Sequence, residues 1–154
     1  MSTTLILSFD PGASGGLAYG QAGATPVVEP MPDTLHDLVE RVVNLLVHYP
    51  SVVAYVEEVG GFIGKGQPGS AMFKFGQGYG QILGILAAHQ IPITLVRPQK
   101  WQKALGLGTS AGGSKTDWKN KLKVRAQQLF PTLSITLKTA DALLIWHAAT
   151  KNLI

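Results

Sequence analysis

The sequence predicts one α/β domain over residues 1–154, with a mixed central sheet flanked by helices on both faces. Three observations favour this class. Three short apolar runs open the chain, helix-type and strand-type segments then alternate, and 45% of the residues are hydrophobic while 14% are charged. Such a composition is typical of a packed core and not of a disordered chain.

The first strand, residues 4–10, is almost entirely apolar, as expected when both faces of a strand are buried. It ends in Asp10, after which a Pro-Gly pair turns the chain into a second strand over residues 16–21. A third strand is predicted over residues 25–30. Because a buried carboxylate is costly without a partner, Asp10 either meets a cation or caps the turn by accepting backbone N–H groups.

Helical spacing of apolar residues predicts a first helix that is capped by Asp33 or Thr34 and runs to about residue 48. The apolar run over residues 52–57 predicts a second buried strand, which also ends in a carboxylate, Glu57. If the two buried strands are parallel neighbours, their carboxylates emerge at the same edge of the sheet, where α/β proteins bind ligands.

A glycine-rich loop over residues 60–69 carries Phe62, Ile63 and Lys65. Apolar side chains on such a loop either pack on the domain or insert between nucleic-acid bases. The next helix, residues 70–89, has a glycine every fourth residue at positions 76, 80 and 84, and so presents a face of small residues. That face permits close approach of another backbone, which is either the sheet or a second copy of the helix.

A strand over residues 92–97 and a short helical turn from Pro98 precede a helix over residues 115–130. The polar faces of this helix carry five cations and one acid, which indicates either a solvated surface or a phosphate-binding one. Its cations are Lys115, Lys119, Lys121, Lys123 and Arg125, and its acid is Asp117. A last helix, residues 138–152, has Asp141 in its first turn, where an acid also suits the helix dipole.

Asp10, Glu57 and Asp141 would repel one another if they met without a cation. Mg²⁺ or Mn²⁺ is the natural compensation, because these ions prefer oxygen ligands. Two such ions roughly 4 Å apart can activate water for phosphodiester hydrolysis. The chain has no cysteine, which excludes thiolate sites, and its net charge of +4 is compatible with a nucleic-acid partner. No apolar run reaches the roughly 20 residues of a membrane span, and no basic stretch precedes the first one, so we expect a cytoplasmic protein.

The ordered motifs resemble the RuvC family of Holliday junction resolvases, in its phage-encoded branch, within the RNase H-like superfamily. The resemblance covers nearly the whole chain and implies an RNase H-like fold. It rests on Phe9-Asp10-Pro11-Gly12, Tyr55-Val56-Glu57, Phe75-Gly76 with Tyr79-Gly80, Val96-Arg97-Pro98 with Trp101-Gln102-Lys103, and Ala140-Asp141-Ala142-Leu143-Leu144.

The resemblance implies a hydrolase that nicks both strands of a four-way DNA junction during recombination and repair, using two Mg²⁺ or Mn²⁺ ions per active site. Asp10, Glu57 and Asp141 would be the catalytic metal ligands. A homodimer would form through residues 70–89, and a phage protein of this kind would act in the host cytoplasm. Further positions implied for DNA contact are Phe62, Lys65, Lys103, Lys115, Lys119 and Lys121.

One position departs from the family pattern. Many relatives have an acid or a histidine three residues before the last Asp, where this chain has Lys138. A protonated lysine cannot ligate a metal. Glu58, Asp117 or His147 could supply the missing ligand, one metal could bind weakly, or Lys138 could itself take a metal-like electrostatic role.

Three other functions compete with the resolvase interpretation. One is another RNase H-like nuclease that acts on RNA–DNA hybrids. A second is a junction-binding protein that does not cleave, which the lysine at 138 favours. A third, suggested by the Asp-Pro-Gly turn, is the phosphate loop of actin-like ATPases and sugar kinases, although those proteins need two such domains.

Overall fold

A computed structural model describes residues 3–60, 66 and 68–154 of the chain, so the predictions for Phe62 and Lys65 lie outside the described residues. The described residues form five strands and five helices. In chain order they are β1 (Leu5–Asp10), β2 (Gly16–Gln21), β3 (Val27–Pro30), α1 (Leu35–His48), β4 (Val52–Glu57), α2 (Gly69–Ala88), β5 (Ile93–Val96), α3 (Pro98–Ala104), α4 (Lys115–Leu129) and α5 (Ala140–Thr150). None of these helices is long and apolar enough to cross a bilayer.

The strands form one mixed sheet in the order β3-β2-β1-β4-β5. β1 pairs antiparallel with β2 and parallel with β4, and β4 pairs parallel with β5. This arrangement confirms the predicted hairpin, and it shows that the two buried strands are parallel neighbours, the condition under which their carboxylates were expected at one edge. In the β1–β4 ladder the last paired residues are Phe9 and Val56, so Asp10 and Glu57 follow side by side at the carboxyl ends.

Side-chain alternation along the strands decides which face each residue meets. Leu5, Leu7 and Phe9 of β1 pack into an apolar cluster with α1 and α2. Ile6 packs into the opposite cluster with α3, α4 and α5. Successive side chains of a strand alternate between the two faces of the sheet, so Asp10 lies on the same face as Ile6, the face that α5 covers. Glu57 lies on that face as well, because the preceding residue, Val56, packs into the cluster on the opposite face.

Helix α5 is fixed on β1 by two hydrogen bonds. The hydroxyl of Ser8 donates to the Ala142 carbonyl at 2.7 Å, and the indole Nε1–H of Trp146 donates to the Ile6 carbonyl at 3.1 Å. Ser8 is fully buried, so these bonds satisfy polar groups that would otherwise be costly. They place the first turn of α5 beside the carboxyl end of β1.

The glycine face of α2 does not pack on the sheet. A Cβ added at Gly76, Gly80 or Gly84 would meet no atom within 4 Å, whereas Ile82 and Leu86 on the other side are buried in the core. The alternative in which these glycines allow close packing on the sheet is therefore wrong, because the large apolar residues of α2 already face the sheet. The small-residue face is open in the single chain.

Candidate active site

Three carboxylates converge on the α5 side of the sheet at the carboxyl ends of β1 and β4. Asp10 ends β1, Glu57 ends β4, and Asp141 lies in the first turn of α5. Asp10 is 8% exposed and Asp141 is 4% exposed. The parallel register and the hydrogen bonds of α5 together produce this meeting, which the sequence predicted from the ends of the two buried strands.

The environment of the site affects the protonation of Asp10 and Glu57. Burial raises the pKa of Asp10 well above its usual value, and the charges of Asp141 and Glu57 add to that effect. Burial also raises the pKa of Glu57 to about 7, although a hydrogen bond from Trp101 partly opposes the rise. A site that disfavours its own ionised carboxylates is one in which a bound cation gains interaction energy.

The Asp10 side chain does not cap its turn. Among the described residues none donates a hydrogen bond to this carboxylate, and the turn is closed instead by the Gly15 N–H donating to the Gly12 carbonyl at 3.0 Å. Gly15 is required there, since a Cβ would lie 1.9 Å from the Asp10 carbonyl oxygen. The turn-cap alternative is therefore not the one that the structure adopts.

Trp101 holds Glu57 in place. Its indole Nε1–H donates to Glu57 Oε2 at 2.8 Å, and this α3 residue is fully buried. Sequence reasoning did not assign this role to Trp101. The available signal was a tryptophan in the first turns of a short helix that begins at Pro98, because a buried indole N–H needs an acceptor.

Lys119 on α4 reaches into the carboxylate group. Its Nζ lies 2.5 Å from Asp141 Oδ2, while Asp141 Oδ1 is buried with no hydrogen-bond partner among the described residues. Burial opposes the charged form of Lys119, but Asp141, Asp10 and Glu57 outweigh it and raise the pKa of the ammonium group. The sequence suggested Lys119 as a phosphate contact, whereas here it contacts a carboxylate.

A cleft of about 650 Å³ opens in front of these side chains. Asp10, Glu57 and three lysines line it, together with the turn after β1, the start of α2 and Leu137. The lysines are Lys115, Lys119 and Lys138. Asp141 is not among the lining residues, since it lies behind Lys119. Phe75 of α2 closes one wall against Gly12, where a Cβ would be 2.8 Å from the ring.

Lys138 is exposed at the mouth of this cleft and precedes α5 instead of belonging to it. The sequence predicted a helix from residue 138, but α5 begins at Ala140. The reason is a local turn in which the Thr136 N–H donates to Thr139 Oγ1 at 3.0 Å, so the chain turns before the helix starts. This segment packs closely against Gly16. A Cβ added at Gly16 would lie 2.6 Å from the Lys138 carbonyl oxygen, so a larger residue would not fit there.

The other positions suggested for the site lie elsewhere. Lys103 is exposed on α3 and does not line the cleft, and Lys121 sits with its Nζ 5.4 Å from the Trp118 ring centroid. Glu58 accepts from Arg97 at 3.1 Å, and His147 packs edge-on against Phe130, with ring centroids 5.5 Å apart. Together with Asp117, which is exposed on the first turn of α4, these residues are absent from the lining of the cleft.

The donor set fits a hard divalent cation. Within residues 3–60, 66 and 68–154, no group of three or more acidic or histidine side chains is already spaced as a metal site. Asp10 and Glu57 nevertheless face the cleft with carboxylate oxygens, and the buried Asp141 Oδ1 has no partner. Oxygen-only ligands suit Mg²⁺ and Mn²⁺.

No protein-family model and no curated protein sequence matches this chain. Solved structures do match it. RuvC from Thermus thermophilus superposes with a TM-score of 0.62 at 18% identity, over 96% of this chain and 95% of that one. T. thermophilus RuvC in complex with a Holliday junction substrate gives 0.64 at 18% identity, over 97% and 94%.

This chain has a RuvC-like fold. The mixed five-stranded sheet with helices on both faces confirms the predicted RNase H-like α/β class. At 18% identity the likeness concerns the fold, and the phage-encoded branch stays a prediction.

Proposed function

We propose that this chain is a metal-dependent, structure-selective DNA endonuclease that resolves four-way (Holliday) junctions by paired symmetric nicks. One observation carries the proposal: the buried carboxylates of Asp10 and Asp141 and the partly buried one of Glu57 meet beside a cleft whose rim bears lysines, in a RuvC-like fold. The solved RuvC complex supports it, because that protein was captured with a Holliday junction substrate.

Asp10, Glu57 and Asp141 are the proposed catalytic residues and the residues that would hold Mg²⁺ or Mn²⁺. When bound, such an ion polarises the phosphate and makes water a better nucleophile. Trp101 fixes one oxygen of Glu57, and Ser8 anchors the helix that carries Asp141. In the overall hydrolysis a water oxygen joins phosphorus, one P–O ester bond breaks, and the departing oxygen ends with a proton.

Lys115 and Lys138 flank the carboxylates at the cleft and are proposed to contact the DNA backbone. Lys138 occupies the place where many relatives have a ligand, and here its charge would lie beside the phosphate. Lys65, Lys103 and Lys121 are proposed contacts to the outer parts of the junction. Phe62 is proposed to help open the junction centre.

A four-way junction offers two equivalent strands, so paired nicks call for two active sites. We propose that two copies of the chain associate through the open glycine face of α2. Phe73, which is 71% exposed on the same helix, would be covered by that association. The protein would then work as a homodimer in DNA recombination and repair, in the host cytoplasm if it is encoded by a phage.

The proposal is tested on a panel of labelled substrates: a synthetic four-way junction, linear duplex and an RNA–DNA hybrid, each with Mg²⁺, Mn²⁺ or EDTA. We expect symmetric nicks in the junction alone, and only with a divalent ion. Cleavage of the hybrid instead would assign the chain to the ribonucleases. Tight junction binding with no nicks under either ion would identify a binding protein, the alternative that Lys138 favours.

A further inference from the structure

The contact between Lys119 and Asp141 changes what the acidic group can bind. Lys119 lines the cleft and Asp141 does not, so the ammonium group stands between this carboxylate and the open space. Asp141 Oδ2 is thereby engaged, and Oδ1 is the oxygen left without a partner among the described residues. Lys119 thus occupies a position beside a carboxylate where a cation would otherwise sit.

The oxygens of the other two acids are unequally available. Glu57 Oε2 accepts from Trp101, which leaves Oε1, while Asp10 accepts no hydrogen bond from the described residues. Asp141 Oδ1 is also free of hydrogen bonds, but it is buried and Asp141 does not line the cleft, so the carboxylates that a cation can reach from the cleft are those of Asp10 and Glu57. One Mg²⁺ or Mn²⁺ typically uses one or two protein carboxylates and completes its octahedron with water and phosphate oxygens.

The charge balance also limits the number of ions. Three carboxylates meet in the site, and Lys115, Lys119 and Lys138 line the same cleft. Two divalent ions would place four further positive charges next to these ammonium groups, in a partly buried environment that screens poorly. One ion would leave a smaller positive excess, which the negative charge of the incoming phosphodiester reduces.

We propose that the Lys119 ammonium takes the place of a second metal ion beside Asp141, so that each chain binds one divalent ion, held chiefly by Asp10 and Glu57. This inference rests on the proposed function and refines it. The expected two-ion site is replaced by a site with one ion and one lysine. Lys119 then neutralises Asp141 in every state of the protein, with or without DNA.

The test counts bound ions instead of measuring cleavage. Purified full-length chain is titrated with Mn²⁺, and bound Mn²⁺ per chain is measured by electron paramagnetic resonance. We expect one ion in the wild type and two in Lys119→Met, because removal of the ammonium frees Oδ2 of Asp141 and leaves both of its oxygens without a partner among the described residues. Lys119→Arg keeps the charge and should stay at one ion.

Lys123→Met is the matched control, since Lys123 lies one turn further along α4 and does not line the cleft. It should bind one ion, like the wild type. Circular dichroism identifies any variant that fails to fold. If Lys119→Met does not fold, the ion counts of the wild type and of Lys119→Arg, each expected to be one, still test the inference. Two ions in the wild type, or one ion in a folded Lys119→Met, would overturn the inference.

Junction nicking measured on the same preparations separates this inference from the proposed function. Two bound ions with metal-dependent nicking would refute the role of Lys119 and leave the endonuclease proposal standing. No bound ion and no nicking would remove both.

Discussion

Helices α2 and α5 are both apolar in sequence, yet they occupy opposite environments. Nine of the eleven residues of α5 are buried, and the helix is bonded to β1 through Ser8. Of the twenty residues of α2 only Ile82 and Leu86 are buried, and its glycine face is open. Helix α5 thus places a carboxylate inside the protein, whereas α2 keeps one face uncovered in the single chain.

The largest effect is expected at the acid that α5 carries. Asp141→Asn removes a negative charge from the site while keeping the side-chain shape, and it leaves the Lys119 ammonium without its ionic partner, so junction nicking should fall by about a hundredfold, the upper end of the cost of changing a group beside metal ligands. Single-turnover nicking with Mn²⁺ measures this. Asp117→Asn, an acid exposed on α4, is the control and should retain nicking.

The difference in burial between α5 and α2 should appear in the free energy of unfolding. Leu144 in α5 is fully buried, so Leu144→Ala should lower the free energy of unfolding by about 2–5 kcal/mol through lost burial and a cavity. Phe73→Ala in α2 removes a larger side chain that is 71% exposed, and should change it by no more than about 0.5 kcal/mol in the monomer. Urea unfolding at low protein concentration measures both. Equal losses would contradict the contrast between the helices.

The hydrogen bond from Trp101 to Glu57 should matter more for activity than for folding. Trp101→Phe keeps most of the buried ring but removes the N–H that donates to Glu57 Oε2. We expect nicking to fall by roughly ten- to a hundredfold while binding of the junction is retained. Trp118→Phe is the control, because that partly buried indole donates no hydrogen bond to a carboxylate among the described residues, whereas Trp101 does. A similar loss in both variants would mean that the effect is structural.

The proposed association through the glycine face of α2 can be tested by filling that face. Gly80→Leu places a large side chain on the glycine face of α2, where the single chain has room for it. The variant monomer should be no less stable, since leucine favours a helix over glycine by about 0.8 kcal/mol. Sedimentation should nevertheless show loss of the dimer. Asn120→Leu, on the exposed side of α4, adds a similar side chain and should leave the dimer intact.

The sequence predicted the parts of the site that depend on one strand or one helix. Apolar runs ending in Asp10 and Glu57 identified the sheet edge, because alternation and parallel pairing follow from local pattern. Asp141 was found from its place in the first turn of the last helix and from the family resemblance. Thr34 was correctly offered as a helix cap, and its hydroxyl accepts from the Asp37 N–H at 3.1 Å.

Contacts between elements could not be read in the same way. The Lys119–Asp141 pair joins α4 to α5, and the Trp101–Glu57 bond joins α3 to β4. The sequence separation of neither pair follows a helix or strand period, because the packing of whole helices decides which of these side chains meet. For the same reason the sequence left open whether the glycines of α2 face the sheet or a partner.

The converging carboxylates are proposed to cut DNA with the help of a divalent ion. The direct measurement is junction binding and junction nicking by wild type and Asp10→Asn, assayed in parallel with Mn²⁺ and with EDTA. We predict that the variant binds the junction about as well as the wild type and produces no nicks, and that EDTA abolishes nicking by the wild type. Metal-dependent nicking by Asp10→Asn at the wild-type rate would contradict the assignment of the site.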